Sequence, residues 1–374
     1  MELQKLRRQF PALMQQVNGQ YPIFLDGPGG SQVPQSVLSA MSAYLGYYNS
    51  NLGGAFFSSD KTVDLMNDTR QAVADLLNAP SKEQIVFGAN MTSLTFSFSR
   101  AVSRDWQAGD EVIVTNADHF SNVSSWCQAA EDKGARVQAV KINEADCTLD
   151  LEHYKSLLKD KTKLVAVTYA SNTTGSINDI KQIVELAHQV GALVYVDAVH
   201  YAPHELIDVQ ALNCDFLACS AYKFFGPHVG IVYGKREYLE GFTPYKVEPA
   251  KDVIPGRWET GTQSFEGLAG VIAAIDYIAS LSDLPESTSR RERLAQAFAN
   301  TKEHEMALSA YFLKRLADFP QIRLYGIADE SRLTERTPTF ALTFEGLAPR
   351  DVSEFLGKQN MCVWDGNFLS LIHI

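Results

Sequence analysis

Residues 164–197 read LVAVTYASNTTGSINDIKQIVELAHQVGALVYVD, and this stretch constrains the fold more than any other. An apolar run rich in β-branched residues at 164–169 predicts a buried strand. Over 177–190 the apolar residues Ile180, Ile183, Val184, Ala187 and Val190 fall on one helical face, and Gly191 is well placed to end that helix. A second strand follows at 192–197. Strand, helix and strand at this spacing form a βαβ unit. Further strands are predicted at 84–87, 111–116, 215–220 and 230–233. Together they imply an α/β fold, with a mostly parallel sheet covered by helices in a large domain spanning 21–265. A helical arm at 1–20 precedes it.

Near residue 266 the pattern changes. A buried helix is predicted at 267–281 and a long charged helix at 287–317. Short strands follow at 322–325 and 339–344, then a helix at 351–359. This predicts a smaller α+β domain over 266–374. The run Arg290, Arg291, Glu292 and Arg293 reads as a solvated helix face.

Charge and cysteine usage bound the partners. The formal net charge is −11, which argues against nucleic acid or an anionic membrane as a partner recognised by bulk electrostatics, though not against a local basic pocket. No stretch reaches about 18 uninterrupted apolar residues, so no membrane span is expected. The N-terminal MELQKLRRQFPALMQQVNG is amphipathic, lacks an apolar core and reads as a helix rather than a signal peptide. Five scattered cysteines (Cys127, Cys147, Cys214, Cys219, Cys362) form no C-x-x-C pair. They suggest neither a disulfide scaffold nor a metal site, and the reducing cytoplasm is the expected home.

In a parallel sheet, ligands bind at the carboxyl ends of the strands. Four predicted strands end in chemically useful residues: Asp118-His119, Ser171-Asn172, Asp197 with His200 behind it, and the stretch from Ser220 through Tyr222 to Lys223. Lysine is seldom buried unless it is paired. A buried lysine and a buried carboxylate on neighbouring strands form either a structural ion pair or a site for pyridoxal 5'-phosphate (PLP). That cofactor needs a lysine neutral enough to form a Schiff base and a carboxylate against its pyridine nitrogen. Lys223 and Asp197 supply these two. His119 is positioned to stack on the ring, and Asn172 and His200 to reach its phenolic oxygen. Asn90, Met91 and Thr92 open a helix whose N-terminus suits a phosphate, with Ser220 and Tyr222 adding hydroxyls. A nicotinamide site is disfavoured, because no G-x-G-x-x-G follows an early strand.

The motifs YVDAVH (195–200), SNTTG (171–175), DHFSNVSSW (118–126), SAYKFFGPHVG (220–230) and RWETGT (257–262) occur in order along the chain. As a set they resemble fold-type I PLP-dependent enzymes of the class V aminotransferase family, cysteine desulfurase-like branch. The resemblance implies the type I PLP-dependent transferase fold, PLP as cofactor and a small amino-acid-type substrate. It also implies a homodimer in which Gly261 and Thr262 reach the phosphate held by the partner. LDGPGGSQ (25–32) and NLGGAFFSS (51–59) would border the substrate pocket.

The chain departs from that pattern twice. The late loop matched by VWDGNFLS (363–370) has Leu369 near the place where desulfurases of the family carry a nucleophilic cysteine, and Cys362 lies seven residues earlier. The sequence stops at SLIHI, before the strand, substrate-gripping arginine and final helix that the resemblance implies, so the small domain is expected to be incomplete. Arg332, Arg336 and Arg350 read as surface residues rather than replacements. The expected function is PLP chemistry on an amino acid, of lyase type at the β-carbon and without the cysteine nucleophile. Epimerisation, transamination and cofactor binding without turnover are the alternatives.

Overall fold

The structure is a computed structural model that describes residues 3–366 of the 374. Its strands are β1 (Ile23–Phe24), β2 (Ile85–Gly88), β3 (Glu111–Thr115), β4 (Arg136–Val140), β5 (Thr162–Thr168), β6 (Leu193–Asp197), β7 (Phe216–Ser220), β8 (Gly230–Gly234), β9 (Ile322–Tyr325), β10 (Ala341–Phe344) and β11 (Met361–Cys362). The helices are α1 (Leu3–Arg7), α2 (Gln35–Ala43), α3 (Phe57–Leu77), α4 (Met91–Val102), α5 (Phe120–Glu131), α6 (Leu151–Leu157), α7 (Ile180–Gln189), α8 (Val209–Leu212), α9 (Arg236–Gly241), α10 (Phe265–Ala279), α11 (Arg290–Leu316) and α12 (Pro349–Lys358). Among the described residues, no helix is long and apolar enough to cross a membrane.

Seven strands form one sheet in the order β2-β8-β7-β6-β5-β3-β4. All run parallel except β8, which is antiparallel to both neighbours. The expected mostly parallel α/β architecture is therefore present.

The sheet is buried on both faces, and side-chain parity divides its residues between two cores. Val165, Val167, Val194, Val196, Leu217 and Cys219 enter a core shared with α3, α7 and α10. Leu164, Ala166, Tyr195, Phe216 and Ala218 enter another, filled by α4, α5 and Trp258. Alternate residues of a strand point to opposite faces, so a strand apolar at every position must be covered on both. Phe98 of α4 stacks on Trp258 with ring centroids 4.2 Å apart, and Trp126 of α5 meets Tyr195 edge-on at 5.1 Å.

The later elements pack onto this unit. Leu268, Val271 and Ile275 of α10 and Leu294, Ala297 and Phe298 of α11 join the first core. The arginine run at 290–293 does not form a solvated face. Arg290 pairs with Asp75 and Asp276, each at 2.8 Å, and Arg291 donates to the main-chain oxygens of Leu76 (2.8 Å) and Asp75 (3.2 Å). The Arg291 guanidinium thus reaches carbonyls in the last turn of α3 that have no partner within their helix. The smaller sheets are an antiparallel pair, β9 with β10, and a parallel pair, β1 with β11. In the second pair the N-terminal segment is hydrogen-bonded to the C-terminal one.

A close approach sets where α4 begins. Gly230 of β8 lies against the main chain of Asn90, which caps α4, and a Cβ built at Gly230 would fall 2.6 Å from Asn90 O and from Met91 N. Backbone atoms fixed by a helix and a sheet cannot move aside cheaply. Gly230→Ala is expected to destabilise the fold by about 1–3 kcal/mol or to displace the start of α4. Thermal unfolding of the variant beside wild type measures this, with a lowered midpoint expected.

Candidate functional site

The parity that sorts the cores also builds the site. Thr168, Asp197 and Ser220 continue the alternations of β5, β6 and β7 on the α4/α5 side, each as the last residue of its strand. The sequence then turns at once. β7 runs into a tight turn, Ala221–Lys223, which returns the lysine to the same edge. Beyond β3, Asp118 and His119 lead into α5, and beyond β2, Asn90 caps α4 with its Oδ1 accepting Ser93 N–H at 2.8 Å. Because β2 runs parallel to β7, the N-terminus of α4 opens on the edge where the lysine and carboxylate lie.

Lys223 is 8% exposed and Asp197 4%. The ammonium donates to the carbonyl of Pro28 and lies 4.9 Å from the Tyr222 ring centroid. Asp197 Oδ1 accepts the N–H of Val199 at 2.9 Å. Burial pushes the Lys223 ammonium down to about 8, against an opposing pull from Asp197, while burial raises the Asp197 carboxyl to about 6. Each group makes the other's charged form easier to hold, and desolvation still outweighs that attraction.

His119 is half-buried; its Nδ1 accepts Ser121 N–H at 3.1 Å and pairs with Ser121 Oγ at 2.8 Å. Burial, and then the charge of Lys223, lower its pKa, so the ring near the lysine is neutral at pH 7. His200 is buried, and the same two causes together with His204 hold it well below its usual range. Its Nε2 faces Thr337 Oγ1 at 3.2 Å and Thr339 Oγ1 at 2.9 Å. Asn172 is half-buried in the loop after β5. Tyr222 stacks on His228, with centroids 5.0 Å apart.

Other expected residues lie further from the lysine's immediate partners. Met91 is buried, and its sulfur takes contacts from Ser121 Oγ at 3.3 Å and Thr95 Oγ1 at 3.4 Å. Only its main chain can serve a ligand at the start of α4. Thr92 is exposed on that first turn. Gly261 and Thr262 are exposed, and Thr262 lines a cavity of about 440 Å³ with Ser93, Ser97, His228 and Ser264. The late-loop position at Leu369 lies outside the described residues.

Several residues that matter here are given no role at the site by the sequence reading. Asp118 is fully buried and accepts from the Thr115 hydroxyl and from Asn122 Nδ2 at 2.7 Å. Burial lifts its carboxyl to about 7, with Asp197 adding to the rise. Its place at a strand end beside His119 is the only signal the sequence offers. Arg336 is 5% exposed and is not a surface residue. Glu259, inside the RWETGT motif, forms a buried bidentate pair with Arg70 at 2.8 and 2.7 Å and also accepts Phe87 N–H at 2.9 Å. That pair ties the segment carrying Thr262 to α3 and β2.

A family model, aminotransferase class-V, matches residues 23–372. A probable cysteine desulfurase of Synechocystis sp. is 33% identical over 380 residues, covering 97% of this chain and 85% of that protein. Another, from Halalkalibacterium halodurans, is 31% identical over 384 residues, covering 98% and 88%. Among solved structures, a cysteine desulfurase of Thermococcus onnurineus NA1 shares the fold with a TM-score of 0.86 at 24% identity, over 98% of this chain and 88% of that one. The cysteine desulfurase CsdA of Escherichia coli is similar at a TM-score of 0.83 and 25% identity, over 99% and 89%.

Removing one member of a buried ion pair leaves the other's charge without its counterion. Glu259→Gln is expected to cost about 3–5 kcal/mol. The double variant Arg70→Met/Glu259→Gln is expected to recover part of that loss. Chemical denaturation of the three proteins measures both.

Proposed function

The chain belongs to the aminotransferase class-V family and is a PLP-dependent enzyme of the cysteine desulfurase-like kind; we propose that it breaks a bond at the β-carbon of a small amino acid without a cysteine nucleophile. The observation that carries this reading is the pair Lys223 and Asp197. They are buried at one edge, Asp197 at the end of β6 and Lys223 in the turn after the adjacent β7, with pKa values drawn toward neutrality from opposite ends.

The residues fit the cofactor. Lys223 is an amine that neutrality can reach, Asp197 is a carboxylate for the ring nitrogen, and α4 turns its N-terminus to the same edge. Bound PLP supplies an aldehyde for amines and a ring that withdraws electrons from the substrate's α-carbon. Asp197 would hold the proton of the ring nitrogen. Asn90, Met91 and Thr92, with Ser220 and Tyr222, would hold the phosphate. His119 would cover the ring, and Asn172 and His200 would border its phenolic oxygen. Lys223 would be the amine that takes the aldehyde, and its Nζ would be the base for the proton of the substrate's α-carbon.

The five thiols support a reaction that does not use them. All are free, and burial raises each above its ordinary value, Cys214 and Cys219 to about 12. A thiol so raised is a poor nucleophile at neutral pH. Free cysteines also agree with a cytoplasmic location.

The proposed homodimer rests on exposed apolar side chains between residues 38 and 63. Tyr47 is 73% and Phe57 70% exposed, with Leu45, Leu52 and Phe56 nearby in sequence. Apolar surface so concentrated marks an interaction site. A second copy placed there would explain why Thr262 waits at the surface. The division into an arm at 1–20, a large domain at 21–265 and a small one from 266 is retained as part of this reading.

Two measurements test it. Cofactor uptake by stripped protein, read as cofactor absorption retained after gel filtration, is expected to quicken as pH rises through about 8, because only the neutral amine attacks an aldehyde. Lys223→Ala is expected to lose the lysine-linked absorption. Given L-cysteine, the loaded protein is expected to release pyruvate, ammonia and sulfide, with Cys362→Ser as active as wild type. Alanine with enzyme-bound sulfur, lost in Cys362→Ser, would instead make it a desulfurase. Racemised or transaminated product would favour the alternative activities, and no turnover a binding role.

A further inference from the structure

One segment of the small domain is locked into the site more tightly than packing alone requires. Residues 335–339 run alongside the loop after β5. Ile177 N–H donates to Glu335 O at 2.9 Å, and Thr337 N–H to Gly175 O at 2.9 Å. Ser176 and Arg336 form a β-bridge. Gly175, at φ +77°, allows this approach, since a Cβ there would lie 2.8 Å from Thr339 O and 2.9 Å from Thr337 O. Asn172 belongs to the loop so held.

Arg336 is the core of the segment. Its guanidinium has no carboxylate partner among its hydrogen bonds. It donates to the carbonyls of Ile327, Thr337 (3.3 Å) and Thr339 (2.5 Å), and lies 4.2 Å from the Phe340 ring centroid. Burying a guanidinium without a counterion is costly, and burial lowers its pKa to about 10. In return it fixes the main chain of both threonines, and both hydroxyls point at His200 Nε2.

A hydroxyl has one proton to give. Thr337 Oγ1 donates to Gly175 O at 3.4 Å, so toward His200 it can only accept. A nitrogen lone pair facing that oxygen would repel it, so the arrangement favours a hydrogen on Nε2, which Thr339 Oγ1 at 2.9 Å can also accept. In a neutral imidazole the other nitrogen then holds a lone pair.

We propose that Arg336, Thr337 and Thr339 form a clamp that sets the tautomer of His200, with the proton on Nε2 and Nδ1 left as the acceptor nitrogen that serves the cofactor's phenolic oxygen. The role of Nδ1 rests on the PLP reading above; the tautomer does not. An acceptor nitrogen beside a phenolic oxygen favours its protonated form and disfavours the phenolate. The three residues are positioning residues that act through His200.

The test has two arms. Nitrogen NMR of the protein labelled at histidine, stripped of cofactor and assigned with His200→Gln, reads the tautomer directly. Wild type is expected to show Nε2–H. Thr337→Val/Thr339→Val, which keeps the shape and removes both hydroxyls, is expected to shift toward the other tautomer, and Thr337→Ser/Thr339→Ser to restore the wild-type pattern. An Nδ1–H tautomer in wild type, or one unchanged by the valines, overturns the clamp. In the loaded proteins, the valine variant is expected to shift absorption from the near-ultraviolet to the visible band, with the serine variant reversing the shift. A changed tautomer without a spectral shift overturns the link to the phenolic oxygen and leaves the clamp standing. Failure of wild type to take up cofactor would overturn the PLP reading, while the first arm still judges the clamp.

Discussion

A sheet covered on both faces leaves its charged residues nowhere to go but the ends of its strands. At 164–167 of β5, 194–196 of β6 and 216–219 of β7 every side chain lies in one of two apolar cores, and at the carboxyl ends the carboxylate and the amine arrive at Asp197 and, one turn past Ser220, at Lys223. Those ends are still poorly solvated. Desolvation therefore sets their chemistry, bringing Asp197 to about 6, Asp118 to about 7 and Lys223 to about 8 from ordinary values far apart. Groups that titrate near neutrality can exchange protons at little cost, which general acid–base work requires.

The remaining structure holds that edge from outside. The loop at 26–31 is gripped from two sides. Ser31 N–H donates to Tyr222 O at 2.9 Å, and Ser31 Oγ accepts Phe225 N–H at 2.7 Å, so the loop lies against the lysine turn. From the other side Trp364 Nε1–H donates to Asp26 O at 3.1 Å, and its indole fills the space a side chain at Gly29 would need. Pro28 in the middle supplies the oxygen on which Lys223 rests. The β1–β11 pair carries this grip between the two ends of the chain. The chain after β9 thus touches this edge twice, through Trp364 and through Thr337 and Thr339 on His200.

Much of this was legible in the residues. The βαβ unit at 164–197, the long helix expected at 287–317 and found at Arg290–Leu316, and the strands expected at 322–325 and 339–344 follow from periodicity, because burial on a helix face or a sheet repeats at a fixed interval; that the two strands pair is a finding of the structure. β4 escaped that reading. It lies at the sheet edge and is largely exposed, so RVQAV lacks the apolar signature of its neighbours. Arg336 and the run Arg290-Arg291 were misread for a related reason. An arginine's residue type predicts solvent, and only the arrangement of distant carbonyls and carboxylates shows that a buried partner is waiting.

Sequence alone determined the fold class, the family and the pair of groups at the centre of the chemistry. Each rests on local order: a hydrophobic period, a motif, a charged residue placed just after an apolar run. Tertiary structure alone decided which groups share an environment. It brought Asp118 close enough to Asp197 for that carboxylate to add to the rise that burial gives the Asp118 carboxyl, seated Lys223 on Pro28 from 195 residues away, and set two threonines against His200 from more than 130 residues away. A pKa and a tautomer depend on what lies within a few ångströms in space, and separation along the chain carries no information about that distance.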